Sequence, residues 1–176
     1  MEKRAQGGEA IRALAYLNQA FIGIDPGQDG GIALNYNGAW FVHRYPKNKP
    51  TREVFSLLNK LIREAEIEGK TIHIFLEHAH SMPGQGVAST FKFGMNYGIW
   101  VGLTANRDIT IVSPQKWQSI YDGLPRVYSD RKRMLKQIAK GVVGDSGNPP
   151  TLCTADAICI ANYGKEAWIE SRTSTD

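Results

Sequence analysis

The stretch "AFIGIDPG" (20–27), followed at once by "GGIALNYNGAWFVHRY" (30–45), decides the fold. The first run is short, apolar and closed by Pro-Gly, as expected of a buried strand. The second holds two β-rich runs around Asn37-Gly38, the strongest short-range hairpin signal. Three antiparallel strands therefore open the chain. After them the period changes. "TREVFSLLNKLIREAEIEG" (51–69) places Val54, Leu57, Leu58, Leu61, Ile62 and Ala65 at helical spacing, with Thr51 as the expected N-cap and Gly69 as the C′ residue. "KTIHIFLEH" (70–78) is a near-continuous apolar run, typical of a central strand. A helix is expected over 88–106, a fifth strand over 108–114, and helices over 113–121 and 129–141, the last capped by Ser129 or Asp130. A meander followed by βαβ units predicts an α/β fold: a mixed five-stranded sheet with helices on both faces.

The last expected helix carries the chemical question. In "LCTADAICIANYG" (152–164) a carboxylate, Asp156, sits in a run apolar enough to be buried. An unpaired buried carboxylate costs several kcal/mol, so Asp156 needs an arginine, a helix N-terminus or a metal as partner. Two other acids stand at strand ends: Asp25 closes the first strand and Glu77 the fourth. If those strands are neighbours, the last helix can bring Asp156 across to both. Three converging oxygen donors suit Mg²⁺. Two such ions about 4 Å apart support phosphodiester hydrolysis. The plainer alternatives are a turn-forming Asp25 before Pro-Gly and a solvated Glu77. Asp156 is harder to explain that way.

The 176 residues fit one domain with a real core. Hydrophobic residues make up 42% and charged residues 22%, as in ordinary globular proteins. The net charge of +4 leans towards an anionic partner. Cys153 and Cys159 lie on one expected helix and cannot easily meet, so no disulfide and a reducing compartment are expected. No apolar run reaches about 18 residues, so no membrane span is expected. Residues 1–19 lack the pattern of a signal peptide and are expected to be an N-terminal extension or tag.

The segments "FIGIDPGQDGGIAL", "IFLEHAHSMPGQGVASTFKFGMNYGIWVG", "ITIVSPQKWQ", "DRKRM" and "TADAICIA" together resemble the RuvC-type Holliday-junction resolvases, above all their compact phage branch, within the RNase H-like superfamily. They run in family order from about residue 20 to 164. The second segment is long and specific; the first is shared with sugar kinases and actin-like ATPases. The resemblance implies an RNase H-like nuclease domain over 20–164 and a polar tail over 165–176. It implies a homodimer that nicks two strands of a four-way DNA junction symmetrically, in the cytoplasm of a bacterium or of a phage's host. It implies Mg²⁺ or Mn²⁺, two ions per site, on Asp25, Glu77 and Asp156. At one place the resemblance breaks. The family carries another acid or a His three or four residues before the last Asp, and here those positions hold Cys153 and Leu152. A thiolate is a soft ligand, poorly matched to Mg²⁺. Weak metal binding, recruitment of Asp145 or Asp29, and a natural or introduced impairment all remain open.

Lysines near the scissile phosphate in this family correspond to Lys132, at the start of the 129–141 helix, and to Lys116, in the preceding "P-x-x-W/V-K" region. Both are expected to be catalytic by stabilising developing charge. Arg126, Arg131, Arg133 and Lys136 add phosphate-binding charge, although most charge runs are simply solvated faces. Gln85 and Lys92 are expected at the junction centre, and an exposed Phe91 is expected to stack on opened bases, against the commoner reading of helical aromatics as core. Gly94, Gly98 and Gly102 share a helix face suited to close packing, on the sheet or on a partner subunit. His78 and His80 flank Glu77 and read first as structural. A non-catalytic junction-binding protein is the main alternative function. An actin-like ATPase would need a second glycine-rich phosphate loop, which is missing.

Overall fold

The computed structural model describes residues 16–46, 49–78 and 86–173. Ten elements follow in order: β1 (Gln19–Asp25), β2 (Gly31–Tyr36), β3 (Ala39–Arg44), α1 (Thr51–Ile67), β4 (Thr71–Glu77), α2 (Val87–Thr104), β5 (Ile109–Val112), α3 (Pro114–Gln118), α4 (Tyr128–Val143) and α5 (Ala155–Thr173). The sheet order is β3-β2-β1-β4-β5. The first three strands pair antiparallel, and β1–β4 and β4–β5 pair parallel. This is the expected mixed α/β sheet. The β2–β3 turn has Asn37 at φ 50° and Gly38 at φ 78°, the two positive values that a type I′ hairpin requires.

Strand alternation divides the core in two. Ala20, Ile22 and Ile24 of β1 and Ile74 and Leu76 of β4 pack with Val54, Leu58, Leu61, Ile62 and Ala65 of α1 and with Trp100 of α2. Phe21 and Phe75 point the other way, into a cluster with Trp117, Leu135, Ala139 and the buried run of α5. The same parity sends Asp25 and Glu77 to the α5 face. Trp100 and Trp117, one in each core, are fully buried, and truncating either to Ala costs about 3–5 kcal/mol.

The position of α5 depends on β1. A Cβ at Gly23 would lie 2.2 Å from the Ala157 carbonyl oxygen and 2.4 Å from the Ala161 nitrogen. Glycine there, opposite two alanines, lets the helix backbone rest directly on the strand. The first turns of α5 are buried as a result, and Asp156 is carried down to the end of β1.

Several local expectations are corrected. Thr51 is not a cap but the first residue of α1, and Pro50 precedes it without a capping side chain. The α4 helix begins at Tyr128 behind Val127, so neither Ser129 nor Asp130 caps it; Asp130 lies in the first turn and pairs with Arg133. The α3 helix spans only 114–118, capped by Ser113, whose Oγ accepts from the Lys116 nitrogen at 3.3 Å. Cys153 precedes α5 rather than lying on it, and both cysteines are free thiols.

The chain after 164 is no tail. The α5 helix runs to Thr173, and Ala167 and Trp168 pack on the core. Gly164 lies within this helix, where the Phe75 ring sits 2.3 Å from where a Cβ would be. At the other end, Tyr16 already belongs to the fold, with its hydroxyl donating to Asn35 Oδ1 at 2.8 Å and its ring stacked on Phe21.

Candidate active site at the ends of β1 and β4

Asp25 and Glu77 each stand one residue beyond the paired Ile24 and Leu76 of adjacent parallel strands. Asp156 comes from the first turn of α5. All three line one cavity of about 680 Å³. Asp25 and Asp156 are each only 7% exposed, and Glu77 is half-buried.

Each acid has one fixed partner. The Gly27 amide donates to Asp25 Oδ1 at 2.9 Å. Trp117 Nε1 donates to Glu77 Oε1 at 3.0 Å. Lys132 Nζ donates to Asp156 Oδ2 at 2.6 Å, in an ion pair whose side chains are largely buried. Asp156 Oδ1, also buried, has no hydrogen-bond partner among the described residues. Gly30 keeps the turn after β1 tight: a Cβ there would lie 2.8 Å from the Asp25 carboxyl carbon.

Crowding of like charge shows in the acidities. Burial, then the charge of Asp156, pushes Asp25 up to about 6 against the pull of Lys132 and the Gly27 amide. Burial, then the charge of Asp25, pushes Glu77 up to about 8, with the Trp117 hydrogen bond acting in the opposite direction. Burial alone would lower Lys132, but Asp156 and Asp25 outweigh it and hold the ammonium protonated. Burial first, and the neighbouring carboxylates second, therefore make Asp25 and Glu77 resist ionisation.

The expected metal set is therefore brought to one cavity but not preassembled. Among the described residues no group of three His, Cys, Asp or Glu side chains is arranged as a ready-made metal site. The donor chemistry still fits a hard divalent ion. Three carboxylates share the cavity, and one buried oxygen of Asp156 is left over.

The other expected residues separate clearly. Lys132 and Arg131 line the cavity. Arg131 Nη1 also donates to the carbonyl oxygens of Pro125 at 3.4 Å and Arg126 at 3.1 Å, so it braces the loop before α4. Arg126 is exposed over an adjoining groove of about 360 Å³ that shares Arg131 with the cavity. Lys136 is exposed on α4, and Arg133 is turned to Asp130. Lys116 is exposed and lies outside the cavity wall, whereas Gln118 lines it. Counting from Pro114 through Trp117, the lysine place of the quoted pattern falls on Gln118. Phe91 is 71% exposed on α2 beside the exposed Lys92; the cavity takes Phe93 instead. Gln85 and His80 lie outside the described residues.

Among candidates for the missing fourth ligand, Leu152, Cys153 and Asp145 are absent from the cavity wall, whereas Asp29 and His78 are part of it. Asp29 is largely solvated, with Arg44 at 4.0 Å. Sequence reading missed Trp117 as the donor to Glu77. It also missed Tyr128, whose ring lies 5.7 Å from Arg131 and 5.9 Å from Lys132 at the cavity wall. The only signal for Tyr128 was an aromatic just ahead of the basic run.

Comparison with known proteins rests on structure. No protein-family model matches the chain, and no curated protein matches it. Among solved structures, Thermus thermophilus RuvC in complex with a Holliday junction substrate aligns over 89% of this chain and 97% of its own, with TM-score 0.55 and 17% identity. A second Thermus thermophilus RuvC structure aligns over 89% and 98%, with TM-score 0.53 and 18% identity. With that agreement in fold and the acids on the strand ends described above, the chain has a RuvC-like, RNase H-like fold.

Proposed function

We propose that this protein is a metal-dependent endonuclease that cuts branched DNA, resolving four-way junctions by paired symmetric nicks as a homodimer. The carrying observation is the cavity at the β1 and β4 ends, where Asp25, Glu77 and Asp156 meet with a buried Asp156 oxygen left unpartnered. These three residues would hold Mg²⁺ or Mn²⁺, two ions per site, which supply an activated water and stabilise the leaving oxygen. Trp117 and the Gly27 amide orient two of the carboxylates. Lys132 supplies a mobile positive charge next to the scissile phosphate. Arg131, Arg126 and Lys136 bind flanking phosphates, which gives affinity without reading sequence. Lys116 contributes at the periphery, and Arg133 less, being paired with Asp130. Phe91, Lys92 and Gln85 are assigned to the junction centre.

The dimer is assigned to α2. Among the described residues nothing lies within 4 Å of where Cβ atoms at Gly94, Gly98 and Gly102 would be. Val87 and Met95 are exposed on the same helix. No helix among the described residues is long and apolar enough to cross a membrane, in keeping with work in the cytoplasm.

One observation favours a second reading, a junction-binding protein that does not cut. Lys132 already pairs with Asp156, and Leu152 and Cys153, at the fourth-ligand positions, are not among the residues that line the cavity. Nicking of a synthetic four-way junction with Mg²⁺ and then Mn²⁺ separates the two. Cutting by the native chain, abolished in Asp25→Asn while junction binding persists, supports the nuclease. Binding without cutting in either metal supports the second reading, and binding lost along with cutting in Asp25→Asn makes that acid structural.

A further inference from the structure

We infer that Lys132 is a placeholder cation: its ammonium leaves Asp156 when a divalent ion binds, so that metal loading and release of Lys132 towards DNA are a single exchange. The inference rests on the reading of Asp25, Glu77 and Asp156 as ligands and adds the residue that governs their loading.

The geometry is specific. Lys132 Nζ lies 2.6 Å from Asp156 Oδ2, and both side chains are largely shielded from water. The carboxylate is bound through one oxygen only; Oδ1 is buried and, among the described residues, unpartnered. A buried acceptor without a partner is costly, and a second cation on Oδ1 removes that cost. The ammonium also feels Asp25 and Glu77. A single point charge thus serves three carboxylates and satisfies none of them fully.

The tether is equally specific. A lysine is a compact charge on a flexible stem. Its other neighbour is the Tyr128 ring at 5.9 Å, which faces the same cavity. The ammonium is thus already within cation–π reach of Tyr128 while it bonds Asp156, and the ring remains beside it when the carboxylate is given up. A divalent ion on the free Oδ1 of Asp156 stands a few ångströms from the ammonium on Oδ2 and repels it, so each weakens the other's hold on the carboxylate. By linkage, the metal weakens the Lys132 contact by the same factor by which Lys132 weakens the metal.

The test uses the whole protein without DNA, titrated with Mn²⁺ by calorimetry. Native chain and Lys132→Gln are compared, and Asp25→Asn marks ligand loss. The variant is expected to bind Mn²⁺ about tenfold more tightly, within the range of ordinary coupling. Damage to the fold would weaken binding, so a gain reports removal of the Lys132 charge, and displacement of the side chain itself is read from its resonances in the native chain. Equal or weaker Mn²⁺ binding in Lys132→Gln overturns the inference while leaving the ligand set intact. Absence of Mn²⁺ binding in the native chain overturns the ligand set and the inference together. Should the variant fold poorly, the Lys132 side-chain methylene resonances of the native chain decide. They are expected to move on Mg²⁺ addition in step with binding, and no movement at saturation refutes the exchange.

Discussion

Two helices carry small residues at nearly the same spacing, and the protein uses them in opposite ways. On α5, Ala157, Ala161 and Gly164 are packed to contact against Gly23 and Phe75. On α2, Gly94, Gly98 and Gly102 meet nothing within 4 Å among the described residues. The first seam is closed within the chain and fixes Asp156 beside the strand ends. The second is left open on the surface. Small residues every three or four positions license a close backbone approach; they do not say what approaches. What distinguishes the two is the partner. A glycine on the central strand has nothing to meet but α5, whereas α2 reaches the sheet through other residues, chiefly Trp100.

The largest effect is expected where the closed seam is forced apart. Gly23→Ala places a Cβ 2.2 Å from backbone, and backbone has no rotamer to yield. A cost of about 3 kcal/mol or more is expected in urea denaturation, at the upper end for overpacking. Asp156 would also be lifted from its place, so Mn²⁺ affinity should fall in whatever fraction still folds. A change below 1 kcal/mol would mean that α5 slides freely on the sheet, and the comparison would lose its first half.

Most of the frame of this seam was legible in the sequence. The Asn37-Gly38 hairpin and the "KTIHIFLEH" run gave strand order its constraints. Because side chains alternate along a strand, Asp25 shares a face with Phe21, and Glu77 with Phe75. That parity was readable before any coordinates. Partnerships set by tertiary packing were not. Nothing local links Trp117 to Glu77, forty residues away, or Lys132 to Asp156. Lys116 is a different case: the quoted pattern, counted along the sequence, already places its lysine position on Gln118, which lines the wall. The expected polar tail over 165–176 failed on tertiary packing as well: Gly164 serves packing against Phe75, and the helix runs on through it.

A smaller effect concerns the charge held at the seam. Asp25 and Glu77 keep protons in the folded state that the unfolded chain releases near about 4. Stability of the metal-free protein should therefore decline as pH rises from about 4 to about 8, through the folded values of about 6 and about 8. His43 and His73, lowered first by burial, work the other way, but only up to about 6.5, where a free histidine has lost its charge. Between that point and 8 the slope belongs mainly to Glu77. Thermal melts of Glu77→Gln should be flatter there, and saturating Mn²⁺ should flatten the native curve too. Trp117→Phe removes a donor that favours the carboxylate, so its decline should extend to higher pH. An unchanged slope in Glu77→Gln would place the charge elsewhere.

The smallest effect on stability tests the open seam, and its sign is the informative part. Gly98→Ala adds a methyl where, among the described residues, nothing stands within 4 Å. Alanine is the better helix former by about 1 kcal/mol, so the isolated chain should become slightly more stable. If two copies meet through this face, the same methyl sits between two backbones that need to touch. Sedimentation should then show the association weakened, with the melting temperature losing part of its dependence on protein concentration. A gain in stability with association unchanged would assign the glycines to something other than the dimer. Loss of stability in dilute protein would mean that the face is already packed, and that the two seams are alike after all.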